Sequence, residues 1–198
     1  MLTNRHVVQG YRRITVYPLD DKPYPASVLA LSEDYDLAAI KVDGYVPKAF
    51  VPVRAAAGGR YVSIPGDAEV VMTGGFSNAD KLPPDISIVN GVVVWLEGYR
   101  AEGFTSVMVS SVRQGASGSP VVDYSGNLVG VVYSGVEHLD KPLSGLLQQF
   151  DSAVFFHNNN AVADFLTKEK IQFSFREVFK PVSRFEVAGG LPEPQHRG

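Results

Sequence analysis

Short runs of β-branched and aromatic residues, cut again and again by glycine and proline, leave little room for a helical period in this chain. Such runs favour strands, because branched side chains fit a pleated, half-buried surface, and the 19 glycines and 13 prolines supply the turns between them. Ile14 and Val16 alternate with Thr15 and Tyr17 before a turn at Asp20-Asp21-Lys22-Pro23, and Val28–Leu31 resumes the apolar pattern, which predicts a hairpin. Leu37–Val42 predicts a further strand. After Pro47 comes the small-residue stretch Ala55-Ala56-Ala57-Gly58-Gly59, read as an extended crossover between two modules. Beyond it, strand-like segments follow at Glu69–Thr73, Ile86–Leu96, Thr105–Ser111, Val121-Val122 and Leu128–Tyr133. The last two flank a turn at Asp123-Tyr124-Ser125-Gly126-Asn127. One segment reads as helix: Asn158-Asn159-Asn160 offers a cap, and Val162, Phe165 and Leu166 follow on one face. Alternation from Ile171 through Phe173 and Phe175 predicts packing on the second module, and 189–198 reads as a frayed terminus or linker.

The chain is therefore expected to be all-β, with a partial first barrel over 1–57, a second antiparallel barrel closed by a helix over 58–166, and an extension over 167–198. At 198 residues with 45% hydrophobic and 20% charged, it has the composition of a globular protein. A net charge of −3, and an Arg12-Arg13 pair too short to form a patch, give no footprint for nucleic acid. Apolar stretches such as Gly91–Leu96 are far shorter than the roughly 20 residues a membrane-spanning helix needs. With no cysteine, disulfides, thiolate metal sites and a thiol nucleophile are excluded, so covalent chemistry must use oxygen or nitrogen. His138, His157 and His196 lack metal-ligand spacing and read as surface residues; no metal or other cofactor is expected.

Three segments carry chemistry: Thr3-Asn4-Arg5-His6-Val7-Val8, Asp34-Tyr35-Asp36-Leu37-Ala38-Ala39-Ile40-Lys41-Val42, and Gly115-Ala116-Ser117-Gly118-Ser119-Pro120. Singly, these read as a structural histidine, a turn aspartate and a glycine-rich loop. Together they hold what acyl transfer requires. A serine hydroxyl is a poor nucleophile unless a general base lies within reach, and that base needs an anion to fix its tautomer and stabilise the imidazolium. Ser117, His6 and Asp36 suit those roles. Glycine around the serine lets the Gly115 and Ser117 amides converge on a developing oxyanion. Asp34, beside Asp36, reads as a solvated turn residue.

The three segments resemble the His, Asp and Ser motifs of trypsin-like serine proteases, in particular the bacterial HtrA-like and glutamyl-endopeptidase-like branches. The resemblance covers residues 1 to 166. Pro65–Val71 with Gly74-Gly75 resembles the opening strand of that family's second barrel, Ser87–Val94 the strand after it, and Ser152–Leu166 its closing strand and helix. It implies two antiparallel barrels with the triad between them, and a polypeptide substrate lying extended along a groove strand. By resemblance, Tyr133, Ser134 and Gly135 form that edge. It also implies hydrolysis through an acyl-enzyme without a cofactor, and work mainly outside the cytoplasm.

Several positions depart from the family. Two strands precede the histidine motif in its members, whereas here His6 stands almost first, so the first barrel is expected to be incomplete and Met1 to be internal to a longer chain. Ala116 replaces an asparagine or aspartate, but backbone builds the oxyanion hole. Ser119 in place of glycine resembles the glutamyl-endopeptidase branch, yet that branch's groove histidine is matched by Val132, which shifts the expected preference to a small or medium apolar residue before the scissile bond, with Arg113 able to reverse it. A non-catalytic peptide-binding relative, and an esterase with the same nucleophile, are the rival readings. Oligomeric state leaves no mark in the sequence.

Overall fold

A computed structural model describes residues 1–18, 22–56, 69–76, 86–95, 103–112, 115–135 and 152–178. In chain order the elements are β1 (Leu2–Thr3), α1 (Arg5–Val8), β2 (Ile14–Val16), β3 (Tyr24–Leu31), β4 (Ala38–Val42), β5 (Val53–Ala56), β6 (Val70–Phe76), β7 (Ile86–Trp95), β8 (Thr105–Ser110), β9 (Pro120–Val122), β10 (Leu128–Gly135), β11 (Ala153–Asn158), α2 (Asn159–Lys168) and β12 (Phe175–Val178). They form two sheets. The first is antiparallel and open, in the order β1-β4-β3-β2; the expected hairpin is its β2–β3 pair, with Ile14 opposite Ala26. Its small core holds Val8, Ala38 and Ile40.

The second sheet runs β11-β8-β7-β6-β9-β10 and closes on itself through an antiparallel β10–β11 pairing, so that six strands make a barrel. Closure removes the free edges that an open sheet would present. Each strand sends apolar side chains to one core: Val71 from β6, Val93 from β7, Met108 from β8, Val121 from β9, Val129 and Val132 from β10, and Val154 and Phe156 from β11. At Gly130 the barrel wall admits no side chain, because a Cβ there would run into the Phe156 ring and the His157 carbonyl. Over the described residues the fold is thus mostly β, with one closed barrel, a half-barrel and two small helices.

Two additions hang from the barrel. β5 runs parallel to β10 and to β12, so the stretch expected as a crossover starts inside a strand of the larger sheet. The boundary expected after Ala57 lies outside the described residues, as do Pro65–Ala68, Arg113, His138, His196 and 189–198. β5 also carries Arg54, which is fully buried and pairs its guanidinium with both oxygens of buried Glu69, at 2.5 and 3.1 Å, with Asp123 at 3.7 Å. The Arg54 carbonyl accepts from Asn159 Nδ2, so this buried charge cluster ties β5, the start of β6, the β9–β10 turn and α2 together.

The helix α2 begins where expected. Asn158 caps it, its Oδ1 accepting from the amides of Asn160 and Ala161, which satisfies donors that the first turn would otherwise orphan. Its apolar face, Ala161, Val162, Phe165 and Leu166, packs with Leu37 and Ala39 of the half-barrel and with Val53, Leu128 and Val131 of the barrel sheet. Ile171 and Phe173 lie against the same cluster. The two lobes therefore share one hydrophobic core beneath α2.

Candidate active site

His6 lies on the single turn of α1, an element that the reading of the sequence did not include. Asn4 stands at its N-cap position without capping it; instead, its buried Nδ2 donates to the Asp36 carbonyl at 2.8 Å. Arg5 donates to the Ser32 carbonyl at 2.7 Å and to Gln9 Oε1 at 2.9 Å. Four residues are too few to hold a helix by propensity, so these contacts across to the Asp36 loop fix the turn.

Asp36 ends a tight loop after β3. Ser32 Oγ accepts from the Asp34 and Tyr35 amides, at 3.3 and 3.0 Å, and turns the chain back. The Asp36 carboxylate then faces His6 twice: Oδ1 accepts from the His6 amide at 2.9 Å, and Oδ2 lies 2.5 Å from His6 Nδ1. This grips the imidazole and its backbone together. With Nδ1 turned to the carboxylate, Nε2 is the nitrogen left to meet a proton donor. The imidazole is half exposed.

The same loop is anchored on the other lobe. Tyr35 packs its ring against Phe104 and His157 and donates to Asp164 Oδ2 of α2 at 2.8 Å. Burial first, and then that carboxylate, pushes the phenol well above its ordinary range. Lys168 joins Asp34 at 2.8 Å and Asp164 at 2.9 Å, and its hydrogen bond to Asp34 leads in holding the ammonium charged. Asp34 is thus exposed but paired.

Ser117 lies between two glycines with left-handed backbone, Gly115 at φ +100° and Gly118 at φ +85°, a conformation L side chains rarely adopt. The loop is fixed to the barrel from both sides: the Gly118 amide donates to the Val132 carbonyl and the Val132 amide to the Ser119 carbonyl, each at 2.9 Å. Among the described residues, the Gly115 and Ser117 amides meet no backbone acceptor. Across the lobes, the Gly118 backbone comes so near Thr3 that a Cβ there would fall 2.5 Å from Thr3 Oγ1. Ser117 is thereby held close to the segment that carries His6, although among the described residues it makes no hydrogen bond to His6. In sites without substrate such contacts are often long and tighten in the reacting complex.

Of the expected groove residues, Val132 is buried in the barrel core with Ala116. Among the described residues, β10 pairs with β9 over Leu128–Val131 and with the Ser117 loop at Val132, and with β11 as far as Ser134 opposite Phe155 and Gly135 opposite Val154. Tyr133 stacks on His157, centroids 4.3 Å apart. His157 itself corrects an expectation. It is 7% exposed rather than a surface residue, because β11 turns it into an aromatic pocket between Tyr35 and Tyr133. Burial holds its imidazole down to about 4, with the Asp36 charge pulling the other way.

The two-lobed architecture is that of trypsin-like proteases. Crystal structures of the Rv3671c protease in an inactive form (24% identity, 84% of this chain and 77% of that one) and of the serine endoprotease from Yersinia pestis (21%, 86% and 53%) each superpose with a TM-score of 0.61. The HtrA-type protease AlgW does so at 18% identity, also with a TM-score of 0.61, over 85% of this chain and 47% of that one. Residues 1–131 match the trypsin-like peptidase domain, and the chain belongs to that family. In sequence it is similar to the serine protease Rv3671c of Mycobacterium tuberculosis, 27% identical over 137 residues that make up 67% of this chain. The match spans about a third, 33%, of that protein's length.

Proposed function

We propose that this chain is a serine endopeptidase that cleaves peptide bonds through a Ser117-His6-Asp36 triad and an acyl-enzyme. The observation that carries the reading is the double hydrogen bond of Asp36 to His6, in a member of this family whose Ser117 loop lies against Thr3. Ser117 Oγ attacks the peptide carbonyl as His6 Nε2 takes its proton, and the amides of Gly115 and Ser117 receive the oxyanion. His6 then gives that proton to the leaving amine, and Asp36 stabilises the imidazolium between the two transfers. Water, deprotonated by His6, hydrolyses the ester. The substrate is an extended polypeptide laid along Tyr133–Gly135; the apolar preference expected from Val132 has no support in its side chain, which lies in the barrel core.

The test is the intact mass of the purified chain after a serine-directed fluorophosphonate, in which Oγ–P bond formation expels fluoride. One adduct on the parent and none on Ser117→Ala is the expected result. The second reading is a peptide-binding relative without turnover, in which Ser117 and His6, which share no hydrogen bond among the described residues, stay apart. A folded parent that takes no label would establish it and overturn the first.

A further inference from the structure

Every polar group of Asp36 has a partner. Its carbonyl accepts from Asn4, its two carboxylate oxygens face His6, and its amide donates to Nε2 of His157 at 3.1 Å, a contact 121 residues away in sequence. The first three lie within the half-barrel; the last crosses to β11 of the barrel. We infer that His157 is a positioning residue for the Asp36–His6 pair, its unprotonated Nε2 holding the Asp36 amide and so aiming the carboxylate at the imidazole. This rests on the reading of His6, Asp36 and Ser117 as the catalytic set.

The geometry fixes the state of the ring. A backbone N–H pointing at Nε2 requires a lone pair there, so the proton sits on Nδ1. An imidazolium would set one N–H against another. His157 Nδ1 is buried and has no hydrogen-bond partner among the described residues, a cost that leucine or phenylalanine in the same pocket would not carry. Packing alone does not account for an imidazole there; an acceptor aimed at Asp36 does. The surroundings keep it neutral: Tyr133 stacks on it from β10, Tyr35 packs tilted against it, and the charged groups nearby are Asp36 itself and, beyond the Tyr35 ring, Asp34, Asp164 and Lys168. Removing the acceptor leaves the Asp36 amide unpartnered at the base of the loop and frees the carboxylate to turn.

The test compares His157→Leu with His157→Gln, whose Oε1 can reach the place of Nε2. Steady-state hydrolysis of an ester or peptide substrate is measured across pH, with circular dichroism as the check of folding. The Leu variant is expected to lose about 10- to 100-fold in kcat with KM unchanged, as a misaimed pair would. Gln should restore most of that loss. A folded Leu variant with parental kcat, or a Gln variant as poor as Leu, overturns the inference. Imidazole nitrogen shifts of the parent decide the matter where Leu does not fold: an unprotonated Nε2 with a protonated Nδ1 supports it, and the opposite tautomer overturns it. A parent that neither turns over nor takes the fluorophosphonate sinks the protease reading, and the same nitrogen shifts then judge the His157–Asp36 bond by itself.

Discussion

Gly118→Ala isolates the contact that brings the serine loop to the histidine segment. Two costs add at this position. Its φ of +85° charges an alanine about 1–2 kcal/mol for left-handed backbone. The new Cβ would also lie 2.5 Å from Thr3 Oγ1, 3.3 Å from Thr3 Cα and 3.4 Å from Thr3 Cβ. Rotating the Thr3 side chain relieves the first overlap only, and Thr3 Cα is held in β1 by pairing opposite Ala38. Overpacking of this kind costs about 1–3 kcal/mol, so the sum is about 2–5 kcal/mol. Gly126→Ala supplies the control, since its φ of +78° charges the same backbone cost while a Cβ there meets nothing within 4 Å. Urea unfolding of both variants should show Gly118→Ala the weaker by about 1–3 kcal/mol, with slower fluorophosphonate labelling of Ser117. Adding Thr3→Ala should return part of the difference, as a double-mutant cycle between contacting residues does. Equal losses for the two glycines, with parental labelling, would refute the tight approach of the loop to β1.

Acid should weaken the fold through His157. The unfolded chain binds a proton there near pH 6.5 and the folded chain only at about 4, so between those values the unfolded state holds more protons and stability falls as pH falls. The loss approaches roughly 3 kcal/mol below pH 4. Urea midpoints against pH for the parent and His157→Gln should diverge through that window; parallel curves would disprove it. Glu69→Gln strips buried Arg54 of its bidentate anion and should cost about 3–5 kcal/mol in denaturant unfolding, while pairing Arg54→Met with Glu69→Leu should return most of that loss.

The hairpin at Ile14, five of the six strands of the closed barrel and the Asn158-capped helix were legible because each carries its own local pattern, alternation or a cap followed by a spaced apolar face, whereas β11 was expected only from the family resemblance. Leu2–Thr3 and Arg5–Val8 were not, being too short for any period and held by Ala38, Ser32 and Asp36 from far along the chain. β5 hid behind Arg54, since a guanidinium in a strand reads as exposed until Glu69 is seen beside it. The His6, Asp36 and Ser117 segments stood out by residue type. His157 did not, because nothing in its neighbours in sequence tells that Tyr35 and Tyr133 will close over it.

The anchoring of the Asp36 loop by β11 and α2 sets an order of assembly. During synthesis, His6 and Asp36 leave the ribosome early, but the groups that fasten the loop, His157, Asp164 and Lys168, follow 121 to 134 residues later. Domains fold as their chains emerge, and pairings this distant in sequence form late. On the proposed reading, the Asp36–His6 pair is therefore set only when β11 and α2 dock, and a nascent or truncated chain lacking them carries His6, Asp36 and Ser117 without the geometry that would arm them.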